Sequence, residues 1–288
     1  MLVWRLCRHL AAIVVMVLIA AFSAATLVRL APGFDVDEQQ LDSRLSHTTI
    51  DATRAAREQN RNIMAFYIAY IGKAAHGDFG RSQTLNRPVR ELIAERLPVS
   101  MRLISFGLLA GWSLALAFAF SSALFRAPAY SLFAVGVAGA LLCIPSAVLA
   151  LAFVYWRAPA FLAIALVVFP KIFSIARNLL VRSYGMQHII TARAKGISEA
   201  RVLLWHVLPV TGGELIALAG VSVSIALGAA IPVEALCGIP GIGQLAWQAA
   251  LGRDLPLLVT LTAIVCVVTL AANATSDVVT ETLRPRKA

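Results

Sequence analysis

Apolar residues in this chain come in long unbroken blocks rather than in alternation. Leu10 to Val28, Leu103 to Phe125, Ser131 to Trp156, Leu215 to Val233 and Leu255 to Ser276 contain no charged residue. A further block, Ala158 to Phe169, is charge-free until Pro170 and Lys171 interrupt it, after which "IFSIARNLL" resumes. A helix needs about 20 apolar residues to cross the hydrocarbon core of a bilayer. Backbone polar groups in lipid must bond within their own segment, so blocks of this length are helices, and a barrel would show short alternating strands instead. The pattern predicts an all-α integral membrane protein of six transmembrane helices, at about 10–30, 99–125, 131–156, 158–182, 211–235 and 255–280. Arg5 and Arg8 before the first block raise a signal peptide, but the apolar run exceeds the roughly 7–15 residues of such a segment and no A-x-A site follows. It reads as an uncleaved first span.

The polar stretches between the spans differ in kind. Segment 31–97 opens with "LAPGFDVDEQQLDSRL", which looks solvated. It continues into "RNIMAFYIAYIGKAAHGDFG", where Ile63, Phe66, Tyr67, Tyr70 and Ile71 fall on one helical face. Such a face suits either the membrane interface or a cap on the bundle. "RPVRELIAERLP" reads as an amphipathic lead-in to the second span, stopped at Pro98. Between the fifth and sixth spans, "EALCGIPGIGQLAWQAALGRDLP" holds a Gly-Ile-Pro-Gly-Ile-Gly core that no regular helix accommodates, then a short helix over 244–251. Broken backbone at membrane depth is tolerated where it lies in protein or lines a cavity. Glu234, Gly238, Pro240, Gly241 and Gly243 are therefore candidate outer-gate residues, with a plain turn as the alternative. Segment 183–209 is too charged for lipid. Gly196 breaks it, Ser198 is placed to N-cap "SEARVLLWHVL" with Val202, Leu203, Trp205 and His206 presented within about two turns, and Pro209 ends it. Anionic lipid or a soluble partner would each suit that element. Gly107 with Gly111, and Gly220 with Ser224 and Gly228, form small-residue faces for close helix approach, and Asn273 with Asp277 share a face of the last span, as candidates either to line the translocation path or to pack helices together.

Charge fixes the orientation. One side collects Arg5, Arg8, Arg126, Arg177, Arg182, Arg193, Lys195, Arg201, Arg284, Arg286 and Lys287 against the acids Glu199 and Glu281. By the positive-inside rule both termini and segment 183–209 are cytoplasmic, and segment 31–97 is external. Only 14% of the 288 residues are charged, against about 25% in a soluble domain, so lipid is the main solvent. The net charge of +10 does not imply nucleic acid, because no aromatic residues interleave with the basic ones. The four cysteines, Cys7, Cys143, Cys237 and Cys266, show no metal or redox spacing. The lone Gly72–Lys73 lacks the rest of a P-loop, and neither HExxH nor GxSxG occurs, so catalytic residues, metal ligands and a bound cofactor are expected to be none. A channel would need a filter motif and a secondary transporter paired repeats; neither stands out, though both classes stay open.

Segment 183–209 resembles the coupling loop of ATP-binding-cassette importer permeases, which reads EAA, three residues, Gly, nine residues, I-x-L-P. Nine residues separate Gly196 from His206, and Leu208 and Pro209 match, while His206 takes the isoleucine place and Ile190 replaces the leading Glu. The run Thr191, Ala192, Arg193, Ala194, Lys195, Gly196 resembles the "TARAKG" core of the dipeptide/oligopeptide branch. "LVRLAPG", "GDFGRSQTLNRPVRELIAERLPVSMRL", "CIPSAVLAL", "VEALCGIPGIGQL" and "RDLP" resemble, in order, its B-type membrane subunit, and "RPR" near Pro285 stands where that branch has Asp-Pro-Arg. The short link between spans three and four and Lys171 within the fourth depart from it.

The resemblance implies a single permease domain over 1–288, of type I ABC importer form, in a bacterial plasma (inner) membrane. It implies two cytosolic ABC ATPases that bind the ATP and Mg, a homologous C-type permease or a second copy, and an extracytoplasmic solute-binding protein. Di- or oligopeptides are the implied cargo, with nickel chelates, glutathione or oligosaccharides as alternatives within the family. The chain itself is not expected to be an enzyme.

Overall fold

The structure is a computed structural model and describes residues 2–30, 63–125 and 128–283. Among the described residues every extended element is helical, and the one antiparallel bridge pairs Arg81 with Pro88. In chain order the helices are α1 (Leu2–Leu30), α2 (Ile63–Ala75), α3 (Val89–Phe125), α4 (Pro128–Leu142), α5 (Ser146–Tyr155), α6 (Phe161–Tyr184) and α7 (Gln187–Ala194). A continuous α8 (Glu199–Leu236), then α9 (Ile242–Leu251) and α10 (Leu255–Leu283), complete the chain. By length and composition α3, α6, α8 and α10 are membrane spans, α4 with α5 makes a fifth as a bent pair, and α1 adds a shorter apolar stretch, Ala11–Ala24. Six is reached by counting that stretch. The "LAPGFDVDEQQLDSRL" segment and the "RPR" at Pro285 lie outside the described residues.

The chain forms two compact units. One comprises residues 1–97 and 245–267. In it the aromatic face of α2 is used inside the protein: the Tyr67 hydroxyl donates to the Leu18 carbonyl, the Tyr67 ring meets Phe22 edge-on with centroids 5.4 Å apart, and the Tyr70 and Thr260 hydroxyls lie 2.7 Å apart. Burial pushes both phenols above their ordinary pKa, so they stay protonated and able to donate. The aromatic face of α2 is thus packed onto α1 and α10. Asp254 is the other anchor of this unit. Its buried carboxylate accepts from the Ser82 hydroxyl at 2.5 Å, the Thr84 N–H at 3.0 Å and the Leu257 N–H at 3.2 Å. It thus caps α10 and holds the Arg81–Pro88 turn with one side chain.

The other unit comprises residues 98–244 and 268–288. Its core is a stack of small and aromatic residues. Ala115 and Ala119 of α3 and Ala134 and Ala138 of α4 are buried with Phe169 and Phe173 of α6. Phe118 meets Phe169 edge-on at 5.6 Å, and Phe169 stacks on Phe173 at 5.7 Å. Small residues set the spacing, as expected of helices with no hydrophobic drive to associate. A Cβ on Gly107 would fall 2.7 Å from Ile164 Cγ2, and one on Gly111 3.1 Å from the Ala165 carbonyl. On α8 only Gly220 of the predicted set is crowded, by Ser276 and Asn273 of α10; nothing lies within 4 Å of a Cβ at Gly228.

Three expectations need correction. The third span is not one straight helix over 131–156: α4 and α5 meet at 95°, with the break at Cys143–Pro145. Pro145 has φ −59° and ψ 141°, an extended residue that starts a new helix, and α5 then buries Leu149, Ala150 and Phe153. Pro98 does not stop the lead-in, because α3 runs through it, with Val89 and Leu92 buried before it and Ile104 after. Burial on both sides outweighs the lost hydrogen bond, a cost of about 3 kcal/mol. Pro209 likewise ends nothing, for a reason given below.

Candidate functional site

Segment 183–209 folds into two short elements joined by a tight turn. Thr191 and Ala192 sit in α7, where Ile189 and Ala192 are buried and Thr191 returns its hydroxyl to the Gln187 carbonyl. The last turn of α7 holds Arg193 and Ala194, and Lys195 caps it. Gly196 then adopts φ +76°, its N–H bonding to the Arg193 carbonyl at 2.9 Å. That left-handed conformation favours glycine, although nothing lies within 4 Å of where its Cβ would be. Across the turn the Arg193 guanidinium clasps Glu199, with Nε to Oε1 at 2.8 Å, and lies 5.5 Å from the Tyr184 ring centroid. Ser198 occupies the N-cap position without a side-chain capping bond. The acid that matters here is Glu199, whose pairing with Arg193 the charge count does not reveal.

Beyond the turn, α8 begins with an α-helical Glu199–Val202, passes through a π-helical turn at Leu203–Val207, and continues as Leu208–Leu236. In the wide turn the Leu208 N–H donates to the Leu203 carbonyl. Pro209 has no N–H and its ring needs room over the preceding turn. The π turn supplies that room, so Leu208 and Pro209 lie inside one helix. Of the side chains expected to be presented, Trp205 is and Val202 and Leu203 are not. Val202 and Leu203 are buried, whereas Leu204 is 58% and Trp205 74% exposed, with Ile190 of α7 at 54%.

At the opposite end of α8, Glu234 is 0% exposed. Its Oε2 accepts the Gly243 N–H at 2.6 Å and the Gln244 N–H at 3.3 Å. Ser100 of α3 accepts the Ile242 N–H at 2.7 Å through its hydroxyl. The intervening turn uses Gly238 at φ +65°, bonds Ile239 N–H to the Glu234 carbonyl at 2.9 Å, and leaves Pro240 exposed. Gly241 and Gly243 are there for contact: a Cβ on Gly243 would be 2.7 Å from Ile231 Cα, and one on Gly241 would meet the Glu234 carboxylate and the Ser100 hydroxyl. Glu234, Gly238, Pro240, Gly241 and Gly243 thus form one structure.

Asn273 and Asp277 do not join it. Asn273 packs beside Gly220, and Asp277 is exposed. Sequence reasoning missed Ser100 and the Trp112 indole that donates to Ser222 at 3.0 Å, because a serine in an apolar run carries no signal of its partner. It also missed the Arg177 bond to Ser131 at 2.5 Å, which ties α6 to α4. Among the described residues no group of His, Cys, Asp or Glu is arranged to hold a metal ion.

One span, α8, thus carries a clasped segment at one end and a broken, glycine-rich turn at the other. The profile of binding-protein-dependent transport system inner membrane components matches residues 97–288. The chain belongs to that family, the membrane-spanning permease subunits of ABC importers. It is similar to the oligopeptide transport system permease protein OppB of Escherichia coli K12, 29% identical over 261 residues covering 83% of this chain and 84% of that protein. The OppB of Salmonella typhimurium is matched to the same extent. A putative peptide permease protein of Brucella ovis is 26% identical over 292 residues, covering 90% of this chain and 91% of its own.

Proposed function

We propose that this chain is a translocation subunit of an ATP-driven importer of di- or oligopeptides in a bacterial inner membrane, with both termini and the coupling segment in the cytoplasm. The observation that carries the reading is the apolar surface of Ile190, Leu204 and Trp205. It stands exposed on an element whose shape is fixed by Gly196 and the Arg193–Glu199 clasp. Side chains of this kind on a preorganised helix end suit a groove in a protein partner. The partner is a cytosolic ABC ATPase, two per assembly, which binds the ATP and Mg that this chain has no motif to hold. A C-type permease, or a second copy, forms the other half of the pathway, and an extracytoplasmic solute-binding protein delivers the cargo. Peptide as cargo is supported by the similarity to an oligopeptide permease and a putative peptide permease.

A gentle-detergent pull-down of the tagged chain from its native membranes tests the reading, with partners identified by mass. A P-loop ATPase and a second six-span subunit are expected, and the ATPase is expected to be lost on Trp205→Ala. Proteoliposomes of the recovered assembly should take up labelled tripeptide only with ATP and the binding protein. Recovery of the chain alone, or uptake indifferent to ATP, overturns the proposal in favour of a channel or secondary transporter.

A further inference from the structure

One helix carries both of the features just described. At about 1.5 Å per residue the 38 residues of α8 span about 55 Å, from the exposed Leu204 and Trp205 at one end to Glu234 at the other. Burying a carboxylate is costly unless it is well bonded. Glu234 is held through Oε2, which takes the N–H groups of Gly243 and Gln244 at the start of α9, where helical N–H groups lack partners in their own helix and the dipole is positive. Ser100 of α3 holds the same helix start through the Ile242 N–H. The turn is therefore tied to α8 by one carboxyl oxygen that takes two N–H groups and to α3 by a hydroxyl that takes one. Two hydrogen bonds hold the turn more firmly than one.

If α8 and α3 move apart, the weaker tie yields. We propose that Glu234 is the positioning residue that makes the Gly238–Gly243 turn follow α8 and part from Ser100 during the transport cycle. Gly241 and Gly243 are required for the same reason, because a Cβ at either would push the turn off its anchor. This inference rests on the importer reading of the coupling segment. It assigns opposite roles to two buried side chains a few ångströms from one helix start, which a purely structural role would not do.

The test uses the whole importer assembly in nanodiscs. Ile239→Cys is introduced into a chain whose Cys7, Cys143, Cys237 and Cys266 are serine, and the rate of labelling by a soluble maleimide is measured without nucleotide and after trapping with ATP and vanadate. The parent should show a rate that differs between the two states by about tenfold, the scale of one hydrogen bond. Ser100→Ala should keep that response and move the resting rate toward the trapped one. Glu234→Ala should abolish the response while ATP hydrolysis continues, and Glu234→Gln, which keeps an acceptor oxygen, should restore it. A nucleotide response that survives in Glu234→Ala, or the same change in Glu234→Ala and Ser100→Ala, overturns the proposal. If Glu234→Ala does not assemble, Ser100→Ala and Glu234→Gln decide: no shift in the first, or no response in the second, is fatal. Failure of the importer reading is seen separately, as absence of an ATPase from the parent assembly before any labelling, and the proposal falls with it.

Discussion

Gly196 and Gly241 are both indispensable to their turns, for different reasons, and substitution separates the two. At Gly196 the space for a Cβ is open and the constraint is φ +76°. An L residue there costs roughly 1–2 kcal/mol, and Asn less than Ala or Val because it tolerates the left-handed region. Gly196→Asn is therefore expected to retain more ATPase in the pull-down than Gly196→Val. A Cβ at Gly196 meets nothing within 4 Å, so a loss in Gly196→Trp beyond that in Gly196→Ala is expected from crowding by the partner. At Gly241 the constraint is contact with Glu234 and Ser100, and Gly241→Ala should lower thermal stability in detergent by about 1–3 kcal/mol, the usual cost of overpacking. Gly228→Ala, with nothing within 4 Å, is expected to leave the melting temperature of the isolated chain unchanged. His206 offers the reverse case. Its Nδ1 is buried and has no hydrogen-bond partner among the described residues. His206→Ile, which restores the residue type of the resembled motif, should raise stability by about 1–3 kcal/mol, read as an increase in Tm.

Prolines show where elements are decided. Pro98, Pro170 and Pro209 lie inside continuous helices, whereas Pro145 marks a bend. Each removes one N–H, so local chemistry does not distinguish them. The surroundings do: α5 gains a buried face of Leu149, Ala150 and Phe153 by turning through 95°, and the Cys237 thiol at the end of α8 lies 3.9 Å from the Ala150 carbonyl. The bend should accordingly survive Pro145→Ala with a loss of no more than about 1 kcal/mol, whereas Phe153→Ala should cost about 3–5 kcal/mol in thermal unfolding. This also marks how far the sequence could be read. Apolar block length gave the helices, because lipid leaves the backbone no alternative. The glycines of segment 183–209 and of the Gly238–Gly243 turn stood out because only irregular backbone needs them at such density. What was hidden depends on residues distant in sequence: the π turn that makes room for Pro209, the inward rotation of Val202 and Leu203, and the Ser100 bond to a helix start 142 residues away.

For the molecule as a whole, the family profile covers 97–288, which includes both ends of α8 and all five groups of the glycine-rich turn. The exposed Asp277 sits in a span otherwise free of charge from Leu255 to Ser276. An acid there is expected to face protein or water rather than lipid. Native mass spectrometry of the purified importer is expected to show this chain with a second permease subunit and two ATPases, and Asp277→Lys to weaken that assembly or its uptake without altering the melting of the isolated chain.

The continuity of α8 has a thermodynamic consequence. A helix that links two ends rigidly has no preferred direction. If nucleotide on the ATPase biases the position of the glycine-rich turn, then cargo or binding protein engaged at that turn must bias nucleotide affinity by the same factor. The protein delivering cargo would thus act as an effector of the ATPases without touching them, and measured nucleotide affinity would report, from the far side of the membrane, whether the outer site is occupied.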